Sequence, residues 1–226
     1  MLQGIIPVSV SANLIKKAHQ PTFISGRLLA NQMLGQDNEG LITRREYLQY
    51  FSTLAIETDK ILIADAQSGF GNEISAWTTA DELGSAGAKY IIVNDQLWPS
   101  LSKRISGAVT EQSLIKRIKA SLDGSKDYGV EIIPKLEGIS QYGYEGLIYR
   151  IQLLLKLRIS QIIVSRIDKD ILSRLTLEPF FDRLGIELDN TQLSIKETNK
   201  LNPKFIIPIF QTINKIQELE TEILDI

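Results

Sequence analysis

Residue types that build many catalytic centres are scarce or missing in this chain of 226 residues. Cysteine is absent, which excludes disulfides, thiolate metal sites and a cysteine nucleophile. His19 is the single histidine, which excludes metal sites built from several histidines and disfavours a serine–histidine mechanism. No apolar run approaches the roughly 20 residues needed to span a bilayer, and no basic region with a long apolar stretch opens the chain. We therefore expect a soluble, cytoplasmic protein with no membrane partner.

An excess of one charge is also lacking. The formal net charge is −2, so no overall field attracts nucleic acid, and we expect no nucleic-acid partner. The length suits one α/β barrel with a large core. Since we find no linker, low-complexity segment or repeat, we expect residues 1–226 to form a single domain.

Short apolar runs alternate with amphipathic segments along the whole chain. Most of these runs are continuous, as in parallel strands that are buried on both faces. We predict eight strands, of which the seventh has the weakest pattern: residues 5–10, 22–25, 61–66, 90–94, 131–136, 161–165, 186–189 and 205–209.

Helical patterns lie between these runs. Thr43 and Glu46 have the spacing of a capping box, which predicts a helix that begins there and ends near Thr58. Further helices are predicted over residues 111–122, 145–157 and 212–224. Alternating strands and helices imply right-handed βαβ units, and eight of them favour a (β/α)₈ TIM barrel. A doubly wound open sheet is the alternative.

The most informative segment is the third predicted strand with the turn that follows. Its apolar residues end in Asp65, and Gln67, Gly69 and Gly71 come next. Active sites of α/β barrels lie at the carboxyl ends of strands, and glycines permit positive φ and close approach of a ligand. Asp65 is therefore a candidate ligand-binding group, with a helix cap or a buried structural acid as the alternative.

This segment resembles the signature Asp-Ala-Asp-Thr-Gly-Tyr-Gly-Asn of the phosphoenolpyruvate mutase and isocitrate lyase superfamily. Other segments match the superfamily pattern in the same order, strongly from residue 4 to about 165 and more weakly beyond that. They are Phe23-Ile24-Ser25-Gly26, Leu34-Gly35 with Gly40-Leu41-Ile42-Thr43, Glu82-Leu83-Gly84-Ser85-Ala86-Gly87-Ala88, Ile91-Ile92-Val93-Asn94-Asp95-Gln96, Pro134-Lys135-Leu136-Glu137 and Phe205-Ile206-Ile207-Pro208. Since the match is weaker beyond about residue 165, we expect a barrel that is shortened at its C-terminus.

The resemblance implies a lyase or isomerase that acts on a small anionic metabolite, an α-oxo acid. In the superfamily the strand-two Ser-Gly backbone holds this acid, and carboxylates hold a magnesium ion. The metal stabilises an enolate-like species while a C–C or P–C bond breaks or forms. By this resemblance the candidate catalytic residues are Asp65, Lys135, Glu137 and Asn38. The candidate substrate-binding residues are Ser25, Gly26, Arg27, Gln67, Asn94 and Gly69.

The sequence departs from the superfamily pattern at the metal ligands. Gln67 and Asn94 replace two acids, and Asn38 aligns with a third, although Asp37 is adjacent. Each exchange removes a negative charge that magnesium favours. We infer that magnesium near Asp65, with Gln67 and Asn94 beside it, is bound weakly or through water, only with substrate, or not at all.

Three further positions keep two interpretations each. The gating-loop lysine aligns with Ser100, and Lys103 could substitute only in a rearranged loop. Lys135 replaces the strand-five arginine, and it lies two residues from Glu137 on the same side of a strand, so a structural ion pair is as good an interpretation as ligand binding. Arg27 is either a new anion contact or a solvated loop residue.

Two functions therefore remain open. Ser25, Gly26, Asp65 and Glu137 favour an enzyme with altered chemistry on an α-oxo acid. The amides and the missing loop lysine favour a degenerate barrel that binds a small ligand or a partner without turnover. The resemblance also implies a homo-oligomer whose subunits exchange a C-terminal helix. We expect this chain to lack that helix.

Overall fold

The computed structural model describes residues 1–100 and 107–224, so Lys103 lies outside the described residues. Within these residues, eight parallel strands hydrogen-bond in the order β1-β8-β7-β6-β5-β4-β3-β2. The strands are β1 Gly4–Ile5, β2 Thr22–Ile24, β3 Leu62–Asp65, β4 Tyr90–Asn94, β5 Glu131–Leu136, β6 Ile162–Val164, β7 Leu184–Glu187 and β8 Phe205–Ile207.

The sheet curls until its two ends meet. Val8, just after β1, forms a parallel bridge with Phe23 of β2. The Ser9 N–H donates to the Phe23 carbonyl at 3.1 Å, and the Phe23 N–H donates to the Pro7 carbonyl at 2.9 Å. The predicted TIM barrel is confirmed, and the open sheet is wrong.

Helices follow the strands and cover the sheet. In the described part of the chain they are α1 Ala12–Lys17, α2 Gly26–Leu34, α3 Arg44–Thr58, α4 Glu73–Ser85, α5 Glu111–Gly124, α6 Ile139–Lys156, α7 Lys169–Leu175, α8 Ile195–Lys200 and α9 Ile209–Leu224. Short 3-10 helices lie at Glu39–Leu41, Lys126–Tyr128 and Phe181–Arg183. None of the helices so described has the length and apolar character needed to cross a bilayer.

The predicted start of α3 is confirmed in detail. The Thr43 hydroxyl accepts from the Glu46 N–H at 3.3 Å, and the Glu46 carboxylate accepts from the Thr43 N–H at 2.9 Å. Strand β7 instead begins two residues before its predicted start. It includes Gly185, which leaves room for the packed ring of Phe205 but interrupts the apolar pattern.

A buried tyrosine fixes the spacing of β2 and β3, where the site lies. Tyr47 of α3 is 1% exposed. Its hydroxyl donates to the Ile24 carbonyl at 2.5 Å and accepts from the Asp65 N–H at 2.6 Å. Because both backbone groups are buried, this link satisfies two hydrogen bonds that would otherwise be lost.

Candidate active site

Buried polar residues gather where the strands end. Ser25 follows β2, Asp65 ends β3, Asn94 ends β4, Lys135 lies near the end of β5 and Glu187 ends β7. The carboxyl ends of parallel strands meet at one mouth of a barrel, which is where ligand sites form. A narrow cavity of about 20 Å³ opens there, which is room for roughly one water molecule. It is lined by Ser25, Arg27, Glu39, Lys135, Glu137, Arg166, Glu187, Asp189 and Ile209.

The serine–glycine pair and the strand-three acid are in direct contact. Ser25 caps α2, because its hydroxyl oxygen accepts from the Leu28 N–H at 3.3 Å. The Gly26 N–H donates to Asp65 Oδ2 at 2.9 Å. A Cβ on Gly26 would lie 3.1 Å from Gln67 Nε2, so glycine allows this close approach. The structure thus brings these predicted residues together.

Asp65 is anchored by backbone amides through both of its carboxylate oxygens. Besides the bond from Gly26, its Oδ1 accepts from the Gln67 N–H at 2.9 Å. Burial raises the pKa of Asp65, and the Lys135 charge and these amides oppose that rise only in part. The carboxyl group is therefore held in one orientation.

Glu39 is a site residue that the sequence analysis missed. Its carboxylate Oε1 accepts from Asn94 Nδ2 at 3.2 Å, and its carbonyl accepts from Gln67 Nε2 at 3.0 Å. Burial and then the Asp65 charge raise the pKa of Glu39 to about 8. Asn38, the predicted residue of this loop, accepts from the Gly40 N–H at 3.2 Å and caps the 3-10 helix. The sequence did offer a sign of this role, because Glu39 is an acid that directly follows the aligned residue Asn38.

Lys135 is enclosed by carboxylates. Its ammonium lies 2.5 Å from Glu137 Oε1 and 3.3 Å from Glu187 Oε1, so the ion pair considered as an alternative is present. Burial alone would lower the pKa of Lys135, but Glu137 and Glu187 outweigh it and raise that pKa well above its ordinary value. Glu187 was also missed, since it ends the strand with the weakest pattern.

Glu137 joins two cations. Burial acts to raise its pKa, but Lys135 and then Arg166 lower it more, so the pKa falls below its ordinary value. Arg166 Nη2 lies 3.4 Å from Glu137 Oε2, which also accepts a hydrogen bond from the Gln96 amide. The group remains an anion at neutral pH.

Arg27 closes one side of the cavity. It belongs to α2, and its side chain is 17% exposed, so the interpretation as a solvated loop residue is wrong. Its guanidinium binds both carboxylate oxygens of Asp37, with Nη2–Oδ2 at 2.8 Å, and donates to the Asp189 carbonyl at 3.4 Å. Burial and the Glu187 charge raise the pKa of Asp189 to about 6.

The remaining predicted residues differ in their placement. Gln67 is fully buried, and its Oε1 has no hydrogen-bond partner within the described residues. Ser100, aligned with the gating-loop lysine, lies 3.4 Å from Asn94 Nδ2 through its hydroxyl oxygen. Gly69 is not on the cavity wall: it packs against α4, where its Cβ would lie 2.6 Å from that of Ala76.

Known proteins provide an independent comparison. No model of a protein family matches the chain. Over 152 residues it is 26% identical to 2-methylisocitrate lyase of Aeropyrum pernix, which covers 66% of this chain and 48% of that enzyme. Over 124 residues it is 28% identical to 2,3-dimethylmalate lyase of Eubacterium barkeri, which covers 52% and 43%. The chain thus matches slightly less than half the length of these curated relatives.

A solved structure matches nearly the whole chain. Phosphonopyruvate hydrolase in complex with oxalate and Mg²⁺ has a TM-score of 0.83 at 20% identity, over 99% of this chain and 81% of that one. The chain therefore shares the TIM-barrel fold of that enzyme and of 2,3-dimethylmalate lyase, a solved member of the phosphoenolpyruvate mutase and isocitrate lyase superfamily. The resemblance recognised in the sequence is confirmed, and the matched curated relatives include lyases and a phosphorylmutase.

Proposed function

We propose that this chain is an enzyme of the lyase or mutase type that acts on a small α-oxo acid through an enolate-like intermediate. The observation that carries the proposal is the meeting of Ser25, Glu39 and Lys135 at one narrow cavity at the carboxyl ends of the strands. A hydroxyl, a carboxyl and an ammonium group there can bind the acid, donate a proton to it and stabilise its negative charge. The lyases among the curated relatives support the same reaction type.

Lys135 and Ser25 would bind the substrate oxygens. An ammonium has three N–H donors, and Glu137 and Glu187 accept from two directions. The third donor can therefore stabilise the charge that develops on the oxo oxygen. Ser25 Oγ already accepts from the Leu28 N–H, which leaves its own proton for the substrate carboxylate.

Glu39 would supply the proton. With a pKa of about 8 it is protonated at neutral pH, and it lines the cavity. A general acid works best when its pKa is near the working pH. When the C–C or P–C bond breaks, its electron pair would stay on the substrate as the enolate while the other fragment leaves, and Glu39 would then donate its proton to that carbon. Solvent would reprotonate Glu39, because the charge of Asp65, held by Gly26 and Gln67, helps to raise the pKa of Glu39.

The side chains at this cavity do not fit a magnesium ion held by several carboxylates. Gln67 and Asn94 turn N–H groups, not oxygens, toward Glu39. In the part of the chain that the structure describes, no three or more His, Asp or Glu side chains are grouped to hold a metal. This donor set supports a weak or absent magnesium site, and no step proposed here passes through a metal.

One observation favours ligand binding without turnover as the second candidate. The cavity cations already contact carboxylates: Arg27 binds Asp37, and both Lys135 and Arg166 bind Glu137. A doubly charged substrate must compete with these pairs.

Turnover assays distinguish the two candidates. We expect the wild-type protein to convert at least one of phosphonopyruvate, oxaloacetate and 2-methylisocitrate. Lys135→Met should lower kcat by about 100-fold or more, because it removes a charged donor aimed at the developing oxyanion. Lys116→Met, on the exposed face of α5, is the control and should retain activity. Oxalate binding without turnover would instead establish the second candidate, and neither binding nor turnover would overturn both.

A further inference from the structure

The cavity contains a cation of its own, and it lies among the acids. Glu137 and Glu187 contact the Lys135 ammonium, at 2.5 Å and 3.3 Å. Glu39 and Asp65 interact with it electrostatically. These carboxyl groups come from four different parts of the barrel mouth, the β3, β5 and β7 ends and the Glu39–Leu41 helix.

Such an arrangement is costly unless the charges compensate one another. Lys135 is 3% exposed, and an ammonium so deeply buried needs nearby carboxylates to replace its lost hydration. In turn, the carboxylates need a positive charge at their centre, because like charges at short range repel strongly in a low dielectric. One ammonium thus meets the electrostatic need that a bound metal ion would otherwise meet.

The side-chain amides of Asn94 and Gln67 direct their N–H groups toward Glu39. Asn94 Nδ2 donates to Glu39 Oε1, and Gln67 Nε2 donates to the Glu39 carbonyl. These hydrogen bonds hold Glu39 beside Lys135 without adding negative charge. Asn94 is also the register partner of Lys135 across β4 and β5, so the exchanged amide and the lysine lie side by side.

Building on the proposed function, we propose that the Lys135 ammonium is the resident cation of this cavity and takes the place of a divalent metal ion, so that the site binds α-oxo acids without magnesium. Lys135 then acts as a charged hydrogen-bond donor to the substrate oxygens. It does not act as an imine-forming nucleophile, since an ammonium has no lone pair and its pKa is raised.

Magnesium titration without substrate tests this replacement directly. At pH 8, isothermal titration calorimetry of the wild-type protein should show no saturable heat up to about 10 mM MgCl₂. Lys135→Met removes the ammonium that contacts Glu137 and Glu187, so it should bind Mg²⁺ at least about tenfold more tightly than wild type. Lys116→Met should behave as wild type does.

A second arm uses oxalate in the presence of EDTA. Wild type should bind oxalate there, and Lys135→Met should bind it at least about tenfold more weakly until MgCl₂ is supplied in excess. If circular dichroism shows that Lys135→Met is unfolded, Lys135→Arg and wild type carry the test, and both should bind oxalate without binding Mg²⁺. Submillimolar Mg²⁺ binding by wild type, or oxalate binding that requires Mg²⁺, would overturn the proposal. Neither readout depends on turnover, so failure of the proposed reaction remains distinguishable.

Discussion

The acidic residues of the cavity differ in pKa because the charges nearest to them differ. Glu137 contacts Lys135 and Arg166, and these cations lower its pKa below the ordinary value. Burial and the charge of Asp65 raise the pKa of Glu39 to about 8. Pairs of acids whose pKa values are driven apart commonly divide the roles of proton donor and permanent anion. In the proposed reaction, Glu39 takes the role of proton donor and Glu137 that of the permanent anion.

A pH dependence of stability follows for Glu39. Its pKa rises from an ordinary 4.5 to about 8 on folding, so the folded state binds more protons between these values. Stability must then fall as pH rises through this window. Between pH 5 and pH 8 the free energy of unfolding of the wild-type protein should fall by about 2–4 kcal/mol because of Glu39. Glu39→Gln should lack this decrease.

Urea denaturation at both pH values measures this loss. Glu57→Gln, at an exposed position of α3, is the matched control and should keep the wild-type dependence. If wild type and Glu39→Gln lose equal stability over this window, Glu39 is ionised in the folded protein and cannot be the proton donor.

The sequence predicted some of these residues and missed others for a physical reason. Ser25, Gly26 and Asp65 stand at strand ends within motifs, so their meeting follows from the barrel topology. Glu39 and Arg166 enter the cavity through local turns. Their positions depend on a 3-10 helix and on a residue with a φ of 58°, neither of which the apolar pattern encodes.

At the scale of elements, the turn after β3 positions α4 and limits the substitutions that this turn accepts. Gly69 has a φ of 76°, which L-residues adopt at a cost. An added Cβ would also lie 2.9 Å from Ala76 Cα, a backbone atom that cannot rotate away. The glycine is thus required twice, once for backbone conformation and once for packing.

Gly35 allows the two requirements to be separated. It has a φ of 63° at the end of α2, and nothing lies within 4 Å of its Cβ position. Gly35→Ala should cost about 1 kcal/mol of unfolding free energy, whereas Gly69→Ala should cost about 3 kcal/mol because overpacking is added. Chemical denaturation of both variants checks the difference. Equal losses would mean that α4 moves freely relative to this turn.

Strand boundaries show where pattern reasoning reaches its limit. Residues 90–94 and 131–136 were predicted with the bounds that the structure has. The first strand was predicted over residues 5–10 but spans Gly4–Ile5. Gly4 and Ile5 pair with β8, whereas on the β2 side Pro7 has no N–H to donate and Val8 forms only a single bridge with Phe23.

For the whole molecule, the barrel explains how residues far apart in sequence form one site. Lys135 and Glu187 are separated by 52 positions, yet strands β5 and β7 place their side chains within 3.3 Å. The alternation of strands and helices predicted this architecture. It could not predict that the carboxylates would enclose a lysine, because that arrangement depends on which side chains face inward at the same height.

The most direct test of the account is a crystal structure of the protein with oxalate in the presence of EDTA. We expect electron density for oxalate inside the barrel mouth, with one carboxylate near the Ser25 hydroxyl and an oxygen within hydrogen-bonding distance of Lys135 Nζ. Glu39 should remain bonded to Asn94. A cavity without oxalate at saturating concentration, or oxalate bound only on the outer surface, would contradict the claim that these residues form a substrate site.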